Sequence, residues 1–137
     1  MAVVMFPIDN FYRFMEREIA RILRYDTQKK EKISIVFLKA PEDIRDSIIN
    51  VLKNNLRKSD VMFEDDGYIF LVLSNTGRMG SLQIDEIMKE FFSRNIDCSI
   101  ASYPEDGDTL EELLEILKKI TEDEYGINID KYLTQTV

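Results

Sequence analysis

The chain contains no histidine, no tryptophan and a single cysteine, and it has only three prolines and five glycines in 137 residues. Histidine is the commonest general base and metal ligand in proteins, so without it any metal site would be built from carboxylates. The lone Cys98 cannot form an internal disulfide, which fits a reducing compartment. The low glycine and proline contents argue against collagen-like and low-complexity chains.

Basic residues are outnumbered by acidic ones, 18 against 26, which gives a formal net charge of −8. Nucleic-acid binding depends on neutralising phosphates with Lys and Arg, so we expect neither nucleic acid nor an anionic membrane surface as a partner. No apolar run approaches the length of a membrane span, so no membrane insertion is expected. The opening segment lacks a basic region and is interrupted by Pro7 and Asp9, which argues against a signal peptide and favours a cytoplasmic location.

The length and the 45% hydrophobic content are those of one compact domain. We therefore predict that residues 1–137 form a single domain, with a leading helix within residues 1–26 and the core within residues 33–128.

The period of the hydrophobic residues alternates along the chain between about 3.6 and 2, which predicts both helices and strands. Helices are predicted from apolar residues three or four positions apart: Phe11, Phe14, Met15, Ile19, Ile22 and Leu23; Ile44, Ile48, Val51, Leu52 and Leu56; Ile84, Ile87, Met88, Phe91 and Phe92; Leu110, Leu113, Leu114, Leu117 and Ile120. Strands are predicted at residues 33–38, 60–64, 68–73 and 96–103, with a short edge strand within 127–133. Asp9 and Asp108 are the expected N-caps of the first and last helices.

An exposed hairpin turn is predicted at residues 65–67, because the Asp-Gly pair there tolerates positive φ angles. With this hairpin, the order after the first helix is βαββαβ followed by αβ. That order predicts an α+β fold with a ferredoxin-like sheet, an N-terminal helix and an extra C-terminal αβ unit. The fold hosts many chemistries, so it does not decide the function by itself.

Three stretches in this order carry a family pattern. Residues 56–61 read Leu-Arg-Lys-Ser-Asp-Val, residues 66–73 form the second strand of the hairpin, and residues 104–114 read Pro-x-Asp-Gly-x-Thr-x-x-Glu-Leu-Leu. In this arrangement the sequence resembles a GGDEF domain, the domain of diguanylate cyclases. The resemblance implies the nucleotide-cyclase type of the α+β fold and extends over nearly the whole chain, to about Asn128.

The resemblance also implies where an active site would lie. Family cyclases use two metal-bound carboxylates, one after the first core strand and one in the signature, to hold Mg²⁺ and a nucleotide triphosphate. The first position is Lys39 in this sequence. The signature falls on Asp66, Gly67, Tyr68, Ile69 and Phe70, and its two acidic positions are occupied by Tyr68 and Ile69. We therefore expect no catalytic residue, no metal and no cofactor at this degenerate signature.

A second implied site is the R-x-x-D motif that binds cyclic-di-GMP in many family members. Arg57 and Asp60 have this pattern, five residues before the signature position. A guanidinium binds phosphate and guanine edges in a bidentate way, and an Asp accepts from guanine N–H groups. Arg and Asp are also ordinary residues at a helix-to-strand junction, and the family's second arginine would fall near Ile87 or Met88.

Three hypotheses follow. The first is a catalytically inactive regulatory or protein-interaction module of bacterial signalling, whose partner is another protein or a fused signalling domain; a homodimer is compatible with it. The second is a cyclic-di-GMP receptor that uses Arg57 and Asp60. The third is a nucleotide enzyme of altered specificity with relocated carboxylates, for which the acidic candidates are Glu42, Asp43, Asp65 and Asp66. The first helix resembles the one that joins family members to upstream sensors, and the alternative is that it packs on its own sheet.

Overall fold

The computed structural model describes residues 4–26, 28 and 30–134. Its strands are β1 (Val4–Pro7), β2 (Ile33–Lys39), β3 (Val61–Asp65), β4 (Tyr68–Ser74) and β5 (Cys98–Tyr103). Its α-helices are α1 (Phe11–Tyr25), α2 (Arg45–Asn55), α3 (Arg78–Phe92) and α4 (Leu110–Tyr125), and short 3-10 turns lie at Ile8–Asn10, Glu42–Ile44 and Asp130–Tyr132. No helix in these ranges is long and apolar enough to cross a membrane.

The strands form one mixed sheet in the order β1-β3-β4-β2-β5. β2, β3 and β4 are its interior strands; β2 and β4 run antiparallel to each other, while β1 is parallel to β3. This arrangement confirms the predicted ferredoxin-like βαββαβ order, with β2 and β4 as the buried strands. Their continuous apolar sequences follow from this position, because both faces of an interior strand are covered by helices.

Helices cover both faces of the sheet and divide the core into two layers. Side chains alternate along β2, so that Ile35 and Phe37 face the layer under α1 and α4, whereas Val36 and Leu38 face the layer under α2 and α3. The first layer is rich in aromatic rings, and its tightest pair is Phe11 and Phe70, stacked with centroids 4.1 Å apart.

Helix α1 packs on the domain's own sheet. Its residues Phe11, Met15, Ile19 and Ile22 are buried in the first layer, while Leu23 is 48% exposed. Of the two interpretations given above for the first helix, packing on the domain's own sheet is the one that accounts for this buried face.

A hairpin turn joins β3 and β4, as predicted, but it has two residues rather than the three expected at 65–67, because Asp65 still belongs to β3. Asp66 and Gly67 both have positive φ angles, 49° and 88°, which is the geometry of a type I′ turn. Asp66 is exposed, but Gly67 is buried against the segment that follows β2, and a Cβ atom on it would lie 2.9 Å from the Ala40 carbonyl oxygen. The prediction of an exposed turn is therefore wrong for Gly67.

Both predicted helix caps are wrong. Asp9 lies in the 3-10 turn before α1, whose N-cap is Asn10 without a side-chain hydrogen bond. The N-cap of α4 is Thr109 rather than Asp108, since the Thr109 hydroxyl accepts from the Glu112 backbone N–H at 3.2 Å. Glu112 in turn accepts from the Asp108 backbone N–H. The pair of residues that bond as in a capping box is therefore Thr109 and Glu112, one position after the predicted pair.

The predicted edge strand within residues 127–133 is also wrong. This segment contains the 3-10 turn Asp130–Tyr132, and it inserts Ile129 and Tyr132 into the first core layer. Burial of these two side chains against the helices and sheet replaces strand pairing. Conversely, the short strand β1 was not predicted, α3 begins at Arg78, ahead of the first apolar residue expected for it, Ile84, and β5 begins at Cys98 rather than at residue 96.

Candidate functional site

The signature position lies at the end of the sheet where β2 finishes and the β3–β4 hairpin turns. Lys39 and Tyr68 are direct partners across the β2–β4 ladder. The Lys39 Nζ lies 3.7 Å from the centroid of the Tyr68 ring, which is a close cation–π contact. An ammonium group and a phenol ring therefore occupy the neighbourhood where the resemblance implies metal-bound carboxylates.

The next two signature residues are committed to the core. Ile69 pairs with Leu38 and Phe70 with Phe37 across the ladder, and both Ile69 and Phe70 are fully buried on opposite faces of the sheet. Strand alternation makes this arrangement obligatory, because consecutive side chains point to opposite faces. Neither side chain is exposed to solvent.

The hairpin is tied to the segment after β2 by polar contacts. Asp66 forms an ion pair with Arg45 at 3.0 Å, and the Gly67 carbonyl accepts from the Ala40 N–H at 2.7 Å. The Gly67 N–H donates to Glu64 at 3.1 Å. These contacts fix the turn against the fold without contributing a carboxylate to the Lys39–Tyr68 pair.

The C-terminal turn adds a second cation to this end of the sheet. Lys131 Nζ lies 6.0 Å from the Tyr68 ring centroid, and the Tyr132 ring lies 5.8 Å from that of Tyr68. The sequence prediction missed this contribution, because residues 127–133 were interpreted as a strand. With two lysines beside Tyr68, the residues present do not fit Mg²⁺ and a nucleotide triphosphate in the family manner, since Mg²⁺ requires hard oxygen ligands.

The relocated carboxylates proposed for an altered enzyme do not converge. Asp43 is bound by Arg94 through contacts of 3.0 and 3.2 Å, and these hydrogen bonds lower the pKa of the Asp43 carboxyl. Asp66 is paired with Arg45, while Glu42 and Asp65 are exposed. Over residues 4–26, 28 and 30–134, no group of three or more Cys, Asp or Glu side chains is placed to hold a metal ion.

Arg57 and Asp60 do lie together, but at the opposite end of the sheet. The seven-residue strand β4 separates them from the hairpin, a distance of about 20 Å. Asp60 is only 3% exposed and accepts from the backbone N–H groups of Arg57 at 2.8 Å and Ser74 at 3.2 Å. The Arg57 guanidinium donates to Asp60, to the Ser74 carbonyl and to the Thr76 hydroxyl. We call these contacts the Arg57–Asp60 clip; they join the start of β3 to the end of β4.

A cleft of about 770 Å³ opens beside the clip, between α2 and α3. Lys32, Arg57 and Arg78 contribute positive charge to its wall and Asp60 and Glu105 contribute negative charge, and Arg78 is engaged by Asp106. Ile87 also lines the cleft, whereas Met88 is buried in the second core layer. The position expected for the family's second arginine therefore presents an apolar side chain.

Cys98 lies at the start of β5 and packs against the second core layer. Burial raises the pKa of its thiol to about 12. The thiol is thus neutral at physiological pH, which is typical of a structural cysteine rather than of a nucleophile.

No protein-family model matches the sequence, and no curated protein matches it either. Among solved structures, a DGC protein from Thermotoga maritima superposes with a TM-score of 0.61 at 26% identity, over 85% of this chain and 94% of that one. The GGDEF domain of TpbB (YfiN) from Pseudomonas aeruginosa superposes with a TM-score of 0.59 at 17% identity, over 89% and 86%. A sensory box/GGDEF family protein from Caulobacter crescentus gives 0.53 at 13% identity, over 84% and 92%.

These neighbours establish the class of the molecule, an α+β domain with the nucleotide-cyclase fold. Within that class, the chain is GGDEF-like, as the sequence motifs predict.

Proposed function

We propose that this GGDEF-like domain is catalytically inactive and acts as a regulatory or protein-interaction module in bacterial signalling. The observation that carries the proposal is the contact between Lys39 and Tyr68 at the signature position. A lysine ammonium repels a divalent cation, and a phenol ring stacked beneath it offers no carboxylate oxygen for Mg²⁺.

The surroundings of this contact support the same interpretation. Ile69 is fully buried where the signature would place an acidic side chain, and Asp66 is held by Arg45 on the outside of the hairpin. The fold around the site is nevertheless complete, with a paired hairpin and a packed core. A folded domain without metal-binding carboxylates at its signature position is suited to contacts with another protein or with fused signalling domains. We propose that residues 1–137 form one such domain and that it is located in the cytoplasm.

The test is an assay for cyclic-di-GMP formed from GTP in the presence of Mg²⁺ or Mn²⁺, with an active diguanylate cyclase measured in parallel. We expect no product from this chain. The proposal is contradicted if product forms and disappears in Asp66→Asn while persisting in the control Asp123→Asn, a change on the exposed face of α4. Chromatography of the same samples also detects GTP hydrolysis, which would favour the nucleotide enzyme of altered specificity.

The second candidate function is a cyclic-di-GMP receptor, and the observation that favours it is the cleft beside Arg57, which Lys32 also lines. The engagement of Arg57 by Ser74 and Thr76 counts against it, because a ligand would have to displace these contacts. With one arginine available, binding should be micromolar or weaker and sensitive to salt.

Calorimetry distinguishes the two candidates. Cyclic-di-GMP is titrated into the wild type, into Arg57→Ala and into the control Lys58→Ala, whose side chain is exposed next to the motif. We expect no heat of binding from any of the three proteins. Heat that is present in the wild type and in Lys58→Ala but lost in Arg57→Ala would establish the receptor instead.

A further inference from the structure

A groove of about 500 Å³ lies where β1 meets helix α1, and its lining shares no residue with the two sites described above. Its floor consists of Phe6, Phe14 and Phe63. The ring centroid of Phe63 lies 5.8 Å from that of Phe6 and 5.4 Å from that of Phe14, so the three rings form one cluster in which Phe63 is fully buried and Phe6 and Phe14 are partly exposed. Phe6 remains 37% exposed, which leaves part of this cluster open to solvent.

One side of the groove is the open edge of the sheet. β1 pairs only with β3, so among the residues that the structure describes no strand covers its other side. The backbone N–H and C=O groups along such an edge are available to an added strand. Met5, which points to the other face of β1, is 44% exposed as well.

The other side of the groove carries unpaired positive charge. Arg13 and Arg17 lie one turn apart on α1 and line the groove, and neither has an ion-pair or hydrogen-bond partner within the described ranges. Arg21 on the same helix is different, because it is bound by Glu18 at 3.2 Å and Glu31 at 2.9 Å.

The groove's charge is opposite in sign to that of the chain as a whole. Asp9 is the acidic residue in the lining, so two arginines against one aspartate leave a net charge of +1 in a chain of net charge −8. A partner segment that complements this groove would therefore be acidic.

We propose that this groove binds an extended acidic segment of a partner protein. The segment adds to the free edge of β1, inserts an aromatic or large aliphatic side chain against Phe6 and Phe14, and directs carboxylates towards Arg13 and Arg17. Strand addition supplies affinity through the main chain, while the apolar anchor and the charge-assisted hydrogen bonds supply specificity. The inference rests on the proposed role as an interaction module and states the chemistry of its partner.

The test uses a fluorescein-labelled peptide with one phenylalanine flanked on both sides by glutamates, and fluorescence anisotropy measures its binding to the chain. Two control peptides replace the phenylalanine by serine or the glutamates by lysines. The test variant is the double charge reversal Arg13→Glu/Arg17→Glu. The matched control is Arg24→Glu, a charge reversal at an exposed position of the same helix outside the groove.

We expect the acidic phenylalanine peptide to bind, and the double reversal to weaken binding by about ten-fold or more. Arg24→Glu should change the affinity by less than about two-fold, because long-range effects of one exposed charge are screened. Circular dichroism of each variant checks that the fold is retained.

The proposal is overturned if the wild type does not bind the peptide, if either control peptide binds equally well, or if Arg24→Glu weakens binding as much as the double reversal. Self-association of the wild type that the double reversal abolishes would identify a second copy as the occupant and would also overturn it. The result is separable from the cyclase assay, since product formation from GTP contradicts the proposed inactivity whether or not the peptide binds.

Discussion

Replacement of Asp60 by alanine should destabilise the protein strongly, because the Asp60 carboxylate is buried and accepts the backbone hydrogen bonds of the Arg57–Asp60 clip. The substitution leaves the backbone N–H groups of Arg57 and Ser74 without their acceptor and removes the anion that faces the Arg57 guanidinium. A buried donor left without a partner costs about 1–3 kcal/mol. For two donors at the partly buried end of β4, we expect a loss of about 3 kcal/mol in the free energy of unfolding.

Urea unfolding followed by circular dichroism measures this loss directly. For a chain of this length, 3 kcal/mol corresponds to a decrease in Tm of about 10 °C, given a typical unfolding entropy per residue. Asp60→Asn keeps one accepting oxygen and should lose about half as much. The matched control is Asp123→Ala on the exposed face of α4, which should change stability by less than about 0.5 kcal/mol.

A loss below about 1 kcal/mol in Asp60→Ala would refute this reasoning. It would mean that the two N–H groups find other acceptors and that the carboxylate is available for another role. In that case the receptor hypothesis would gain support, and calorimetry with Asp60→Ala would become the decisive measurement.

Three further predictions concern the core, the cysteine and the hairpin. Phe70→Ala should cost about 3–5 kcal/mol in urea unfolding, because Phe70 is fully buried, whereas Phe91→Ala, at a position 59% exposed, should cost less than about 1 kcal/mol; similar losses would mean that β4 is misplaced. Cys98 should react slowly with iodoacetamide at pH 8, since burial raises its pKa to about 12, and rapidly in denaturant; fast labelling of the folded protein would contradict this. Gly67→Ala should destabilise the hairpin by about 1–2 kcal/mol, because its φ is +88° and a Cβ would lie 2.9 Å from the Ala40 oxygen; an unchanged Tm would show that the turn relaxes freely.

The central sheet was predictable because local pattern and tertiary environment agree there. β2 and β4 are continuous apolar runs that occupy interior positions, and the Asp66-Gly67 pair forms the turn of the expected hairpin. Ile127 and Ile129 also alternate like a strand, but burial of Ile129 against the helices overrides that local pattern. β1 escaped prediction because a four-residue strand has little periodicity, and its pairing with β3 is a long-range contact.

The candidate sites were predictable as positions but not as contacts. Lys39 and Tyr68 could be identified from the motif, yet their cation–π contact depends on the register of β2 against β4. The contribution of Lys131 depends on how the chain returns to the sheet after α4. Arg13 and Arg17 stand four positions apart in the sequence, which indicates a common helix face but not the aromatic groove beside it.

The Arg57–Asp60 clip also indicates that a sequence motif associated with ligand binding can have a structural role. The side chains of Arg57 and Asp60 each hydrogen-bond to backbone groups of a neighbouring segment. Replacing either residue should therefore lower the stability of the fold whether or not a nucleotide binds. The need for a folded domain would then be sufficient reason for both residues to be present. In this domain, R-x-x-D describes how the start of β3 is joined to the end of β4, and the motif by itself gives no measure of affinity for cyclic-di-GMP.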